Sequence, residues 1–236
     1  MLTTLRVAVL CSQRAPGIGY LIEASRRDHA SFELVCCVSS DAACVDADRV
    51  ASSAVPFITH ARRAFYETYA PGRRLGDRDA RIAYDQQTVR VLAEYQPGLV
   101  ILAGYLLLLT SPMLTAYAGR IVNVHHADLL LRNATGGPRY PGLRAVRDAV
   151  LAGEPETRSS AHFVTERLDD GPVIARSGPY PVAAAARWAL QAGERDVLRS
   201  AIWAHQEWML RDAFGPLMVR AIEHVATMNA AVRECA

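Results

Sequence analysis

Leu99-Val100-Ile101-Leu102-Ala103, followed after a short helical stretch by Arg120-Ile121-Val122-Asn123-Val124-His125, is the stretch that sets the architecture. Both segments read as strands, the first an unbroken apolar run and the second an alternation that ends on Asn123 and His125. Pro112 to Tyr117 between them reads as a helix, and strand–helix–strand succession argues a parallel pair. The same alternation extends towards the N-terminus. Leu5 to Leu10 and Glu33 to Val38 read as strands, with a helix over Ile18 to Arg27 between them. Asp77 to Tyr95 places Ile82, Val89, Leu92 and Ala93 on one helical face, and Pro97 closes it. The chain is therefore α/β, with a mostly parallel sheet flanked by helices.

The second half departs from this rhythm. Ala127 to Pro141 is loop-like around Gly136-Gly137-Pro138. Leu143 to Ala152 reads as a helix, and Ser160 to Thr165 and Pro172 to Ser177 as antiparallel additions to the sheet. From Ala183 the strand pattern stops. Val197, Leu198, Ala201, Ile202, His205, Trp208 and Met209 recur at helical spacing, and a final helix is expected after Pro216. With no internal repeat or low-complexity linker, one unit is expected: residues 1–182 form its body and 183–236 a C-terminal helical extension packed on it.

Composition narrows the function. The 236 residues are 51% hydrophobic and 21% charged, ordinary for a folded chain. Leu99 to Leu109 is too short for a membrane span of about 20 residues, and Met1 to Ser12 runs directly into a strand with no secretory pattern. Cys11, Cys36, Cys37, Cys44 and Cys235 are odd in number and lack zinc-type spacing, which fits a reduced cytoplasmic setting. A net charge of +2 argues against nucleic-acid binding. All 26 basic residues are arginine, which removes Schiff-base, pyridoxal and Walker-type chemistry.

Alternation on the last parallel strand puts Ile121, Asn123 and His125 on one face, at the carboxyl end where open α/β sheets bind ligands. An amide donor beside an imidazole suits an oxyanion and a mobile proton. Spacing alone also allows two solvated residues at a strand end. Leu168-Asp169-Asp170-Gly171-Pro172 is either a hairpin turn with an Asx-type bond or a carboxylate aimed at His125. His162 is either a hydrogen-bonded core histidine or part of the site. His125-His126 point to opposite faces and make a poor chelate, so no metal is expected. Leu106, Leu107, Leu108 and Leu109 are core, or an apolar slot for a flat ring. In Ser12-Gln13-Arg14-Ala15-Pro16-Gly17-Ile18-Gly19 the third glycine of G-x-G-x-x-G is Ile22, which disfavours a dinucleotide-binding dehydrogenase. Free amides there, with Arg14, suit an anion.

Taken in order, Leu99 to Tyr105, Gly119 to His125, Tyr140-Pro141-Gly142-Leu143, His162-Phe163-Val164-Thr165 and Leu168 to Pro172 resemble the phosphoribosylglycinamide formyltransferase-like family of the folate-dependent formyltransferase superfamily. The resemblance spans residues 5 to 182, with an echo at Gln206-Glu207. It implies a Rossmann-like formyltransferase fold and 10-formyltetrahydrofolate as formyl donor, without a metal. It implies catalytic roles for Asn123, His125 and Asp169, an accessory one for His162, and a pterin pocket formed by Leu106 to Leu109 with Thr165, Glu166 and Leu168. Ser12, Gln13, Arg14, Arg139 and Glu207 are the residues expected at the acceptor.

Departures from the family pattern fall on the acceptor side. The family's glycine- and asparagine-rich phosphate turn is here Ser12 to Gly17. The usual Pro-Ser-Leu-Leu-Pro after the histidine is His126-Ala127-Asp128-Leu129-Leu130, then a longer loop with Arg132, Asn133 and Arg139. Asp170 replaces a small residue, and Glu207 is either near the acceptor or an ordinary helical partner of Arg211. The expected activity is N-formylation of a small, non-purine amine, with an anionic acceptor allowed by Arg14. Formyltetrahydrofolate hydrolysis and a non-catalytic folate-binding module are the rival readings. No nucleic acid or membrane partner is expected, and the helical tail either covers the core or forms a homodimer face.

Overall fold

The computed structural model describes residues 4–69 and 71–234, so Cys235 lies outside the described residues. In chain order the elements are β1 (Leu5–Cys11), α1 (Ile18–Ser25), β2 (Phe32–Ser39), α2 (Ala47–Ala51), β3 (Phe57–Thr59) and α3 (Arg62–Tyr69). Next come α4 (Arg78–Tyr95), β4 (Leu99–Leu102), α5 (Ser111–Ala116), β5 (Ile121–His125) and α6 (Ala145–Leu151). The chain continues through β6 (Glu156–Thr157), β7 (Ser160–Phe163), β8 (Val173–Arg176), β9 (Tyr180–Pro181), α7 (Ala184–Ala192) and α8 (Arg195–Glu234).

Seven strands form one sheet in the order β3-β2-β1-β4-β5-β7-β8, parallel from β3 to β5 and antiparallel through β7 and β8. Alternation splits the strand side chains between two cores. Val7, Val9, Leu99, Ile101, Val122 and Val124 face one way, with the buried sides of α1 and α8. Ala8, Leu10, Val100, Leu102 and Ile121 face the other, with Leu92 of α4 and Met113 of α5. The edge strand β3 and the helix α3 were absent from the sequence pattern. β3 has three residues, too few to show a period.

The helical tail corrects one expectation. No break occurs at Pro216: α8 is a single helix of 40 residues, about 60 Å long at 1.5 Å per residue. An internal proline costs a helix about 3 kcal/mol. Here Met209, Phe214, Met218, Ala221 and Ile222, on both sides of Pro216, are fully enclosed in the larger core, and that burial holds the helix through the proline. Gly215 makes the contact with α1. A Cβ added there would sit 2.6 Å from Cβ of Tyr20. Gly215→Val is therefore expected to lower stability by about 1–3 kcal/mol through overpacking, seen as a lower melting temperature; an unchanged melting curve would refute the close approach.

Candidate active site

A cleft of about 1010 Å³ opens beyond the carboxyl ends of β1, β4 and β5, where an open parallel sheet leaves its crevice. Its centre is set by strand register. Antiparallel pairing places Asn123 of β5 opposite His162 of β7, and cross-strand partners share a face. Asn123 Nδ2–H donates to His162 Nε2 at 3.2 Å. His162 Nδ1–H donates to the carbonyl of Phe163 at 2.9 Å, which leaves Nε2 as the acceptor in a neutral ring. Burial holds the His162 pKa below its ordinary value, and Asp169 opposes that shift only in part. His162 is thus both a core histidine and a member of the cluster.

Two further residues complete the cluster. His125 Nε2–H donates to the carbonyl of Tyr140 at 2.9 Å, leaving Nδ1 facing Asp169 Oδ2 at 3.5 Å. Asp169 Oδ1 lies 3.8 Å from His162 Nε2, and Oδ2 accepts the Gly142 N–H at 2.7 Å. The Tyr140-Pro141-Gly142 segment therefore holds imidazole and carboxylate in one frame. The Asp169 backbone is left-handed, at φ 51°, a conformation that aspartate tolerates better than most residues. Gly171 permits the turn, because any Cβ there would collide with the Phe163 carbonyl. Its two acids separate: Asp169 points inward, while Asp170 pairs with Arg132 and Arg167.

Of the four leucines, Leu107 packs into the small Tyr66–Tyr84 cluster and Leu109 into the α4-side core. Leu106 and Leu108 are 51% and 67% exposed at the cleft, joined by Leu143 at 74% and Leu168 at 48%. An exposed apolar collar around a cavity marks a ligand site more than a core. Thr165, Glu166 and Leu168 line the same wall. A clamp invisible in sequence fixes the leucine segment. Arg81 of α4 donates from Nε and Nη2 to the Leu108 carbonyl at 3.1 and 2.9 Å and pairs with Asp85 at 2.8 Å. Asp85 Oδ2 accepts the N–H and hydroxyl of Thr110, both at 2.7 Å. In sequence this is an ordinary i,i+4 charge pair, with nothing to mark it as inward-facing.

For the residues expected at an acceptor, several expectations are corrected. Gln13 and Arg14 line the cleft, but Ser12 does not. Its buried hydroxyl bonds Ser40 at 2.8 Å and accepts the Leu106 N–H at 3.0 Å, tying two loops together. Arg139 lies outside the wall, because Glu154 holds it at 3.1 Å over the Tyr140 ring. Glu207 also lies off the wall and grips Arg14 through both carboxylate oxygens, at 2.8 and 3.0 Å. Arg211 reaches only its backbone carbonyl. The neighbouring Gln206, with Leu210 and Phe214, lines the cleft instead; long sequence separation hid this contribution of α8. Among the described residues, no group of three or more His, Cys, Asp or Glu has the geometry of a metal site.

His126 lines the cleft with His125 and packs on Phe214 with ring centroids 4.5 Å apart. Burial, reinforced by the neighbouring His125 and Arg14, pushes its pKa down to about 3 from 6.5. Below pH 6.5 the unfolded chain takes up a proton that the folded chain refuses, so stability falls as pH falls towards about 3. His162 and His205 shift in the same direction, so the comparison must be with a variant. His126→Phe is expected to flatten the urea-derived stability profile across this window by up to about 1.4 kcal/mol per pH unit. An unchanged slope would contradict a neutral, buried His126.

Residues 5–185 match the model of the formyl transferase family. The chain belongs to that family. Among its relatives, phosphoribosylglycinamide formyltransferase of Mycobacterium tuberculosis is 30% identical over 177 residues, covering 75% of this chain and 71% of that protein. The Escherichia coli protein of the same name is 41% identical over 96 residues, covering 41% of this chain and 42% of its own length. A trifunctional purine biosynthetic protein of Drosophila melanogaster matches over only 11% of its length. The fold is shared with glycinamide ribonucleotide transformylase 1 from Symbiobacterium toebii, at TM-score 0.70 and 24% identity over 95% of this chain and 88% of that one. It is also shared with a formyltetrahydrofolate deformylase from Pseudomonas syringae, at TM-score 0.62 and 21% identity over 89% and 62%. The family match ends where α7 begins, although Ala186 and the buried side of α8 sit in the core with β1, β4 and β5.

Proposed function

We propose that this family member transfers a formyl group from 10-formyltetrahydrofolate to the amine of a small acceptor other than glycinamide ribonucleotide. The observation that carries the reading is the meeting of Asn123, His125, His162 and Asp169 at the foot of an apolar-rimmed cleft. The leucine collar suits the flat pterin ring, and Leu106 to Leu109 with Thr165, Glu166 and Leu168 would hold it. When bound, 10-formyltetrahydrofolate supplies the formyl carbon.

The chain's own residues account for the remainder. His162 uses one Nδ2–H of Asn123, leaving the other for an oxygen that gains negative charge in the cleft. His125 has its Nε2–H tied to Tyr140, so Nδ1 is where the ring takes or gives a proton, and Asp169 lies beside it to share the charge. The neutral His162 between them adds no competing positive charge. The apolar rim limits water, which would otherwise compete with the amine. Four buried thiols, Cys11, Cys36, Cys37 and Cys44, are unpaired, and we place the protein in the reducing cytoplasm.

Release of tetrahydrofolate from 10-formyltetrahydrofolate, measured with and without a panel of primary amines, tests this reading. Amine-dependent release with a formylated product is expected. Release at the same rate without any amine would assign hydrolysis instead, and no thermal stabilisation by any folate would end the folate assignment.

A further inference from the structure

We propose that Asp46 and Glu207 close the anion position of the β1–α1 turn from within, so that phosphorylated acceptors are excluded from this end of the cleft. The inference deepens the proposed transfer by naming a class of acceptor it rejects.

A turn from a parallel strand into a helix is where an open sheet offers free N–H groups and a positive helix end to an anion. Here part of that donor set is already used. The Ala15 N–H donates to Asp46 Oδ2 at 2.8 Å, and Pro16 has no N–H to offer. The Ile18 N–H bonds the Ala15 carbonyl at 3.1 Å. The Val45 N–H donates to the Gln13 carbonyl at 2.9 Å, which draws the segment carrying Asp46 across the turn. Arg14 is the one cation of the turn. Both its terminal nitrogens hold Glu207 at 2.8 and 3.0 Å, in the fork geometry with which arginine grips a carboxylate or phosphate.

The carboxylates come from distant places, one at the start of α2 and one on α8, yet both take donors of the same six-residue turn. An incoming phosphate would displace one or both, and meet their charge as it arrived. Beside Arg14, which Glu207 holds, the uncharged Gln13 and Gln206 line this wall of the cleft. Their amides suit hydroxyl or amide groups, so the acceptor amine is carried on a body that is neutral at this end.

Phosphate binding reads this inference directly. Inorganic phosphate and phosphoethanolamine are titrated by calorimetry, at constant ionic strength, into the wild-type chain and into Asp46→Ala/Glu207→Ala. The wild type is expected to show no saturable binding, and the double variant to bind both probes at least about tenfold more tightly. Saturable binding of either probe to the wild type, as tight as in the variant, would overturn the proposal, as would a folded double variant that binds neither. Should the alanine pair not fold, Asp46→Asn/Glu207→Gln keeps the hydrogen-bonding shape and removes only the charges, and the same outcomes apply to it. No arm depends on formyl transfer, so failure of the proposed activity would leave the result readable.

Discussion

Asn123→Ala is expected to lower kcat on the order of a hundredfold or more, the cost typical of removing one oxyanion donor. The reason lies in how the amide is shared. His162 fixes one Nδ2–H and so orients the second, and no other side-chain amide stands in the cluster to replace it. Alanine also leaves His162 Nε2 a buried acceptor without its partner, at a cost of about 1–3 kcal/mol in stability. Two readouts separate these effects: kcat with a saturating amine, and thermal stabilisation by a folate analogue. We expect a collapsed kcat with the folate shift retained, since Asn123 is not part of the leucine collar. His125→Ala is expected to fall on a similar scale through loss of the proton site. An Asn123→Ala protein with ordinary turnover would remove the cluster from the chemistry.

Arg81→Leu gives the second large effect, on stability and on the donor. It strips Asp85 of its ion pair while the carboxylate stays fully buried. Burial already pushes the Asp85 carboxyl above its ordinary pKa, even with Arg81 and Thr110 opposing. Removing one partner of a buried pair typically costs 3–5 kcal/mol, roughly what leaving a charge uncompensated implies. Leu108 also loses both donors to its carbonyl, so the slot loosens. Urea unfolding should show the loss, and the donor KM should rise while the acceptor KM changes little. The double variant Arg81→Leu/Asp85→Leu is expected to recover much of the stability but not the donor KM, because the tie to Leu108 stays broken. Equal recovery of both would reduce the clamp to a stability element.

What the sequence revealed depended on whether its cause was local. The apolar run Leu99 to Leu102 and the alternation from Ile121 to His125 carried their own signal, and so did the α4 face ending at Pro97. The turn of Asp169 was visible as a turn, but its direction was not. That direction depends on the room at Gly171 against Phe163 and on the Gly142 N–H, contacts between separate segments. The pairing of Asn123 with His162 follows from register, which no single strand encodes. Pro216 suggested a helix boundary by local rule, and the burial of Phe214 and Met218 overrode it. Arg14 looked free for an anion because its partner, Glu207, lies 193 residues away. The leucine run was ambiguous because all four residues line the cleft while Leu107 and Leu109 also pack against buried clusters.

Helix α8 has a consequence for biogenesis. It is synthesised after every strand of the sheet, yet supplies Gln206, Leu210 and Phe214 to the cleft and covers the face that α1 leaves open. A nascent chain that has emerged only as far as β9 therefore exposes a broad, sticky surface of valine, isoleucine and leucine, the kind of species that aggregates or recruits chaperones. A premature stop within α8 yields an unfinished cleft along with an incomplete core.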